Sequence, residues 1–343
     1  MSRRPSLMSE EIAQTGAVVA RQLAANAPAT ARIAALLRER DPRVVVTIAR
    51  GSSDHAALYL KYLVEVALGA PCASIGPSIA SLYDAPLRLD GALAITVSQS
   101  GRSPDIVALQ AAADRAGALT LALVNEVDSP AAAGAQYLLP LCAGPERSVA
   151  ATKSMIAALV AGAALVAGWA GDGALAAALA ALPGALGAAA PPPPASLVAE
   201  LAAARSAFVI GRGATFAIAA EAALKLKETC AIHAEAFSSA EVLHGPAGVV
   251  TPGFPVIAFA PQDAAREGFA DTLARLAAMG ARVLTVDVAP APGAALAVPA
   301  AGHPALTPIV MLHRFYGVVE ACAQALGRDP DNPPHLRKVT ETK

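Results

Sequence analysis

The most constraining feature of the sequence is a β-branched run that stops at glycine and is followed by a helical pattern. Residues 43–49 read RVVVTIA and lead to Gly51, after which residues 55–68 have the apolar spacing of a helix. Such a pattern predicts a buried strand, a tight loop and a helix. The same order returns within residues 93–124 and again beyond residue 207. Strands that alternate with helices predict parallel sheets covered by helices.

The second half of the chain repeats the order of elements found in the first half. AAADRAGALTLALV in the first half and LARLAAMGARVLTV in the second each read as a helix, a glycine stop and a strand. Two glycine pairs, Gly51 with Gly211 and Gly117 with Gly280, are separated by nearly the same interval. The pattern therefore predicts two copies of one α/β unit rather than a short-period repeat.

Shifts in composition divide the chain into five segments. Residues 1–40 form an Ala-rich helical segment that we expect to break near Pro28, and residues 41–185 form the first α/β domain. Residues 198–328 form the second domain, and residues 329–343 form a C-terminal tail. The intervening linker, 186–197, contains four consecutive prolines and is expected to be stiff.

Charge and composition exclude several classes of function. The chain has 26 basic and 27 acidic residues, and aromatic residues make up 4% of it. A nucleic-acid binder would have a basic excess, and a base-stacking surface would need aromatic side chains. The four cysteines and six histidines form no CxxC, HExxH or HxH motif, so we expect no metal. The GxG at 211–213 lacks the third glycine of a dinucleotide fingerprint, so we expect no cofactor.

High hydropathy raises the question of a membrane span. Apolar residues make up 55% of the chain, and its mean hydropathy is +0.50. A spanning helix needs about 20 strongly apolar residues. The strongest candidate, residues 154–171, is shorter and consists largely of Ala and Gly, so we expect a buried helix and no membrane contact. The N-terminal residues lack the apolar core of a signal peptide, which predicts a cytoplasmic protein.

Hydroxyl side chains follow two predicted strands of the first copy. Two serines come directly after Gly51, and SQSGRS at 98–103 follows the next clear strand. Ligands of open α/β sheets bind outside the carboxyl ends of the strands, and a helix N-terminus there suits a phosphate. Ser103 before Pro104 is also ordinary helix-start chemistry, so that residue fits both interpretations. The corresponding loop in the second copy, 261–264, has no hydroxyl, and we expect that copy to have lost the role.

Residues 221–246 contain the densest polar set in the chain. Lys225 lies four residues after Glu221 and three before Glu228, so the three side chains share a helix face. One interpretation is an exposed ladder of charged pairs, although the surrounding leucines and alanines leave little room for a solvated helix. The other is a proton-transfer site near neutral pH, because further histidines and carboxylates follow closely. These are His233, Glu235, Glu241 and His244.

Several blocks of the sequence resemble the double-SIS (sugar isomerase) family, in particular the isomerase half of glucosamine-6-phosphate synthases and the SIS-type glucosamine-6-phosphate deaminases. The matching blocks are 51–56, 98–103, 143–146, 149–153, 221–228, 233–236, 241–246 and 336–340. They extend over nearly the whole chain from about residue 45 onward. The resemblance implies an α/β fold with two pseudo-duplicated SIS domains, each a flavodoxin-like three-layer sandwich with a parallel sheet.

The resemblance also implies roles for individual residues. Glu228 would move a proton between C1 and C2 of a sugar, supported by Lys225. His244 would assist ring opening across the interface of a homodimer, and Lys338 would lie near the sugar carbonyl on a mobile tail. The sugar would contact the backbone of Val149 and Ala151. Its phosphate would be held by five residues, with Ser52 nearby; the five are Ser53, Ser98, Gln99, Ser100 and Ser103.

The same resemblance implies an enzyme that acts on a small sugar phosphate. The synthases carry a glutaminase domain that begins with a nucleophilic cysteine, whereas Ser2 stands here, so we expect no ammonia from glutamine. The tail at 333–342 resembles the deaminases. The expected reaction converts glucosamine 6-phosphate and water to fructose 6-phosphate and ammonia. A deglycase or isomerase of another 6-phosphorylated amino-sugar adduct, and a non-catalytic sugar-phosphate-binding regulator, remain alternatives.

Overall fold

The computed structural model describes residues 5–188 and 190–338, which form two compact units. The first unit comprises Ala17–Glu146, Lys153–Pro183 and the tail from Arg337. The second comprises Met1–Gly16, Arg147–Thr152 and Gly184–Leu336. Each unit contains one sheet, as the pattern of the sequence predicts. A single division at the proline-rich residues would place Arg147–Thr152 in the first unit and the tail from Arg337 in the second, whereas they belong to the second and the first unit, respectively.

A five-stranded parallel sheet forms the centre of the first unit. Its strands have the order β2-β1-β3-β4-β5 and are all parallel. β2 is added on one side of β1 and β3 on the other, so the strand order reverses between β1 and β3. Every residue of β1 and β3 is buried, as expected for parallel strands covered on both faces. The strands are β1 (Val45–Ile48), β2 (Cys72–Ser74), β3 (Leu93–Ser98), β4 (Leu119–Val124) and β5 (Tyr137–Pro140).

The helices of the first unit are α2 (Thr15–Arg40), α3 (Ser52–Leu68), α4 (Ser78–Ser81), α5 (Pro104–Arg115), α6 (Pro130–Ala133), α7 (Lys153–Ala170) and α8 (Gly173–Gly187). Those that lie between consecutive strands, α3 to α6, begin at the carboxyl ends of the sheet. The expected break near Pro28 is wrong, because α2 continues through this exposed proline. A proline inside a helix removes one hydrogen bond, which a long helix packed on one face can tolerate. In the same way, α8 includes Pro183 and extends into the residues expected to form a linker.

The helix α7 contains the apolar run that raised the membrane question. It is the one helix in the described ranges that is long and apolar enough to cross a membrane, and 83% of it is buried inside the fold. The prediction of a buried helix is therefore confirmed. Small side chains allow its neighbours to approach closely, since a Cβ on Gly162 would lie 3.3 Å from Leu60 Cδ1 of α3.

The second unit repeats the sheet of the first. Its order, β10-β9-β8-β6-β7, matches that of the first unit strand for strand, which confirms the predicted duplication. The strands are β6 (Ser206–Gly211), β7 (His233–Ser238), β8 (Pro255–Phe259), β9 (Arg282–Val288) and β10 (Leu296–Val298). The helices are α1 (Leu7–Ala13), α9 (Ala195–Ala203), α10 (Ala214–Cys230), α11 (Arg266–Ala278) and α12 (Thr307–Ala325).

The structural equivalent of Gly51 is Gly213 rather than Gly211. Gly51 and Gly213 precede α3 and α10 with nearly identical backbone angles, φ 55° and ψ −134° against φ 59° and ψ −135°. Gly211 instead ends β6, where a Cβ would lie 2.3 Å from the carbonyl oxygen of Thr215. Gly51 and Gly213 are required by their positive φ, whereas Gly211 is required by the close approach of the Thr215 backbone.

The helix α1 is anchored to the segment that follows α12, near the C-terminal end of the second unit. The backbone N–H groups of Leu7 and Met8 each donate to the Asp331 carboxylate at 2.8 Å. The Ser6 hydroxyl caps α1 by accepting from Ser9 N at 3.1 Å, and it donates to Glu320 at 2.6 Å. A carboxylate at a helix N-terminus is stabilised by unpaired N–H groups there.

A buried histidine also joins α1 to α12. The Nε2–H of His313 donates to the carbonyl oxygen of Ile12 at 3.1 Å, and His313 is 4% exposed. Burial lowers the pKa of His313 to about 4, and the neighbouring Arg314 lowers it further against the opposing effect of the Ile12 bond. The imidazole is therefore neutral in the folded protein at pH 7.

We predict that the free energy of unfolding falls as the pH is lowered from 6.5 towards about 4. In that window the unfolded chain protonates His313 and the folded chain does not, so stability is lost by up to roughly 3 kcal/mol. Denaturant unfolding of the wild type and His313→Gln at several pH values tests this. The variant should have a flatter pH slope, and equal slopes would contradict the prediction.

Candidate functional site

The loop after β3 is folded by its own hydroxyl groups and a glycine. Ser98 Oγ accepts from the Gly101 N–H at 2.9 Å, and Ser100 Oγ accepts from the Arg102 N–H at 3.3 Å. Gly101 has a φ of +61°, and a Cβ there would lie 2.2 Å from Ser129 Oγ. Glycine is therefore required by both the backbone angle and the space. The result is a tight turn that projects the hydroxyl residues beyond the sheet.

The helix α5 begins directly after this loop. Ser103 occupies its N-cap position, but the side chain makes no capping hydrogen bond. The helix-start interpretation therefore does not account for the Ser103 hydroxyl. In the first turn, the buried Asp105 carboxylate forms an ion pair with Arg50 at 3.1 Å. This pair connects the start of α5 to the residue that precedes the loop after β1.

The loop after β1 leads into α3 at the adjacent strand end. Ser52 and Ser53 form the first turn of α3, and Gly51 before them supplies no side chain to cap the N–H groups. Since β1 and β3 are neighbours, the N-termini of α3 and α5 belong to adjacent crossovers at the point where the strand order reverses. Open α/β sheets bind ligands at this point, and helix N-termini favour anions. The structure thus brings the five predicted phosphate residues and Ser52 to one edge of the sheet.

Lys338 lies in the first unit, where it pairs with Glu146. Its Nζ is 3.1 Å from Glu146 Oε2, and the glutamate side chain is fully buried. Ser154 also donates to this carboxylate, through its N–H at 3.0 Å and its hydroxyl at 2.5 Å. Sequence reasoning identified Glu146 only as part of a family block and missed its contact with the tail lysine. Their separation of 192 residues leaves no local signal.

A buried cluster of charged side chains lies on α10 in the second unit. Lys225 Nζ is 3.1 Å from Glu221 Oε1 and 2.6 Å from Glu228 Oε2. The side chains of Lys225 and Glu221 have no exposed surface, whereas 21% of the Glu228 side chain is exposed. The Tyr316 hydroxyl of α12 donates to Glu221 at 3.2 Å. The interpretation as an exposed ladder is therefore wrong, because the apolar face of α10 carries these residues inward.

The charge of Lys225 is maintained by its two carboxylate neighbours. Burial alone would lower the pKa of Lys225, but Glu221 and Glu228 together outweigh it and raise the pKa above its ordinary value. A lysine that stays cationic holds one oxygen of Glu228 in place. About a fifth of the Glu228 side chain, 21%, remains exposed. The geometry suits a carboxylate that takes and returns a proton at a fixed position.

The remaining predicted residues of the second unit are more exposed. The backbone N–H of Val149 donates to the carbonyl oxygen of Asp331 at 3.0 Å. Ala151, two residues on, is half-buried in the same segment. The Ser148 N–H before it donates to the Glu11 carboxylate at 3.4 Å. The segment that carries both predicted sugar contacts is thus held within the second unit.

His244 lies in the helical turns that follow β7, with its side chain exposed. Within residues 5–188 and 190–338 it makes no hydrogen bond or ion pair to the Lys225 cluster. His233 and Glu235 are exposed on β7, which is an edge strand of the second sheet. The same described ranges contain no group of three or more His, Cys, Asp or Glu side chains that could hold a metal ion.

The second sheet has a cavity of 270 Å³ at the corresponding edge. Arg212 lines it, and the Arg212 guanidinium donates to Ser238 Oγ at 3.1 Å. Hydroxyls reach this cavity from Ser239 and Thr272, which lie outside the loop compared in the sequence. The sequence comparison missed them because they come from the end of β7 and from α11.

We predict that Ser103→Ala lowers the affinity for glucose 6-phosphate about tenfold, the cost of one hydrogen bond to a charged group. Because Ser103 makes no capping bond, the free energy of unfolding should change little. Ser6→Ala is the matched control, since that N-cap serine does cap its helix. It should lose about 1 to 2 kcal/mol of stability and keep the affinity. Isothermal titration and denaturant unfolding measure the two effects, and the reverse pattern would contradict the assignment.

Comparison with known proteins identifies the family. Residues 37–168 and 200–291 match the model of the SIS domain. The chain is 34% identical over 321 residues to a glutamine–fructose-6-phosphate aminotransferase (isomerizing) of Symbiobacterium thermophilum, covering 86% of this chain and 51% of that protein. The protein of the same name from Methanothermobacter thermautotrophicus is 39% identical over 244 residues, which cover 70% of this chain and 40% of that protein. The chain spans about half the length of these curated relatives.

Solved structures agree with this relationship. A candidate phosphosugar isomerase from Silicibacter pomeroyi is 47% identical, with a TM-score of 0.89 over 95% of this chain and 100% of that chain. The C-terminal domain of glucosamine-fructose-6-phosphate aminotransferase from Francisella tularensis is 25% identical, with a TM-score of 0.81 over 96% and 99%. A glucosamine-6-phosphate deaminase from Thermotoga maritima shares the fold at 20% identity and a TM-score of 0.75, over 98% and 100%. With two sheets of matching strand order and two matched segments, the chain belongs to the SIS-domain family.

Proposed function

We propose that the chain is an aldose–ketose isomerase of amino-sugar phosphates that releases ammonia. Its substrate is glucosamine 6-phosphate, and its products are fructose 6-phosphate and ammonia. The observation that carries the proposal is the partly exposed Glu228 carboxylate, fixed at 2.6 Å by a fully buried lysine. The names of the relatives support the substrate class, since the 34% identical aminotransferase is named for fructose 6-phosphate and for isomerisation.

The strand-end loops of the first unit are assigned to the phosphate. Ser52, Ser53 and the 98–103 loop carry hydroxyl groups beside two helix N-termini. A phosphate dianion is stabilised by such donors, and helix dipoles add to the attraction. This assignment needs no metal and no cofactor.

Glu228 is assigned the proton transfer. In the open-chain sugar it removes the proton from C2, which gives an enolamine with charge developing on O1. It returns that proton to C1, and O1 takes a proton from the amino nitrogen, so that C1 carries a hydroxyl and C2 an imine. The resulting C2 imine adds water and expels ammonia, leaving the ketose. Lys225 positions Glu228, and Lys338 is proposed to stabilise the charge on O1. The backbone of Val149 and Ala151 would orient the sugar.

His244 is assigned the ring opening that must precede this transfer. Its exposed imidazole is available to a second copy of the chain, which supports the proposed homodimer in which each His244 serves the neighbouring site. Imidazole is suited to the step because it exchanges protons near neutral pH. A cytoplasmic location also remains a prediction.

Glu228→Gln should lower kcat for ammonia release by about 10²- to 10⁴-fold, because the amide keeps the shape and cannot accept the proton. KM should stay within a few fold, since the phosphate contacts are unchanged. Glu65→Gln on α3 is the matched control, because Glu65 also pairs with a lysine one helical turn away, Lys61. It should keep the wild-type rate. A coupled ammonia assay measures both variants, and a Glu228→Gln enzyme with full activity would refute the mechanism.

A substrate panel separates the proposed reaction from its alternatives. Glucosamine 6-phosphate and 6-phosphorylated fructosamine adducts are each incubated with the protein, and ammonia, free amine and fructose 6-phosphate are measured. Ammonia with equimolar fructose 6-phosphate from the first substrate is the expected result. Amine release from the adducts alone would indicate a deglycase, and interconversion without ammonia would indicate an isomerase. Binding of the sugar phosphate without turnover would indicate a regulator.

A further inference from the structure

A cavity of 380 Å³ lies in the first unit between α2, α7 and α8. It shares no residue with the candidate site described above. Small side chains on the three helices create the space, and Leu139 of β5 closes one side. Most of the apolar lining residues are alanines, and Ala27, Ala31 and Ala176 are exposed, so the cavity is open to solvent on that side.

One wall of the cavity carries a stripe of polar side chains. Gln22, Asn26 and Thr30 are spaced four residues apart on α2, so they project from the same helix face into the lining. Their exposure rises along the helix, from 1% for Gln22 and 8% for Asn26 to a half-buried Thr30. The cavity therefore has its floor at Gln22 and opens towards Thr30.

In the two amides of this stripe, the nitrogen atoms donate hydrogen bonds and the oxygen atoms accept none within the described ranges. Gln22 Nε2 donates to the carbonyl oxygen of Ala157 at 2.8 Å, and Asn26 Nδ2 donates to that of Pro140 at 2.7 Å. Gln22 Oε1 is buried and accepts no hydrogen bond from any residue of the described ranges. Buried acceptors are nearly always paired, so an unpaired one beside a cavity indicates a missing donor.

The remaining lining determines the chemistry of that donor. None of the residues around the cavity is charged, so an ion would lose its hydration without compensation. The volume lies within the range of small-molecule pockets, and most of the wall is apolar. We propose that this cavity binds a neutral, mainly apolar small molecule whose N–H or O–H group donates to the amide oxygens of Gln22 and Asn26. The proposal is independent of the function assigned to the strand-end loops and Glu228.

Indole and 1-methylindole test the proposal, because they share one ring system and only indole has an N–H. Isothermal titration of the full chain should show saturable binding of indole and at least about fivefold weaker binding of 1-methylindole. Gln22→Met keeps the length of the side chain and removes the acceptor, so the preference for indole should fall. If Gln22 had a purely structural role, Gln22→Met would instead lower the affinities for indole and 1-methylindole equally. Equal affinities in the wild type would overturn the proposal.

Ala164→Phe fills the cavity from α7 and should abolish indole binding. Ala24→Phe is the matched control, because Ala24 is exposed on α2 and does not line the cavity. Circular dichroism checks that both variants fold, and both should keep the turnover of the wild type. If Ala164→Phe changed the oligomeric state measured by light scattering and indole did not bind, the cavity would be a contact between copies. That result would overturn the small-molecule assignment.

Discussion

The burial of both faces of two parallel sheets determines most of this structure. Parallel strands are joined by helical crossovers, so helices must cover each face and each helix must offer a side without charge. Alanine is the residue that the chain uses for this purpose, and α7 is the extreme case because 83% of its apolar span is buried. The high mean hydropathy of the chain therefore arises from alanine-rich helices that are buried against the sheets. The same geometry places every crossover helix N-terminus at one edge.

The two copies of the fold have diverged at that edge while keeping their backbone. Gly51 and Gly213 adopt almost the same φ and ψ, so the strand-to-helix turn is common to both units. In the first unit the adjacent loop carries serines, and in the second the corresponding loop carries Asp263. The second unit instead contains a buried cation between two carboxylates on α10. One backbone scaffold therefore carries hydroxyl side chains at the strand ends of the first copy and a buried lysine between two carboxylates in the second.

The central strands and long helices could be predicted from the sequence because their signals are local. Runs such as RVVVTIA and the glycine stops place these elements within about three residues of their observed positions. Strands such as β2 and β10, of three residues each, have no periodicity to detect. The spacing of Glu221, Lys225 and Glu228 predicts a shared helix face. Its burial depends on Tyr316 of α12, which is 95 residues away from Glu221 in the chain and leaves no local pattern.

The anchoring of α1 has a consequence for the time course of synthesis. Leu7 and Asp331 are 324 residues apart, yet the N–H groups of α1 find their partner in that carboxylate. At translation rates of about 5 to 20 residues per second, α1 waits roughly 16 to 65 seconds for Asp331 to be made. The helix α1 therefore leaves the ribosome ahead of the rest of its own unit and is among the last parts of that unit to dock. During that interval the buried face of α1, including Met8, is open to chaperones and to other nascent chains.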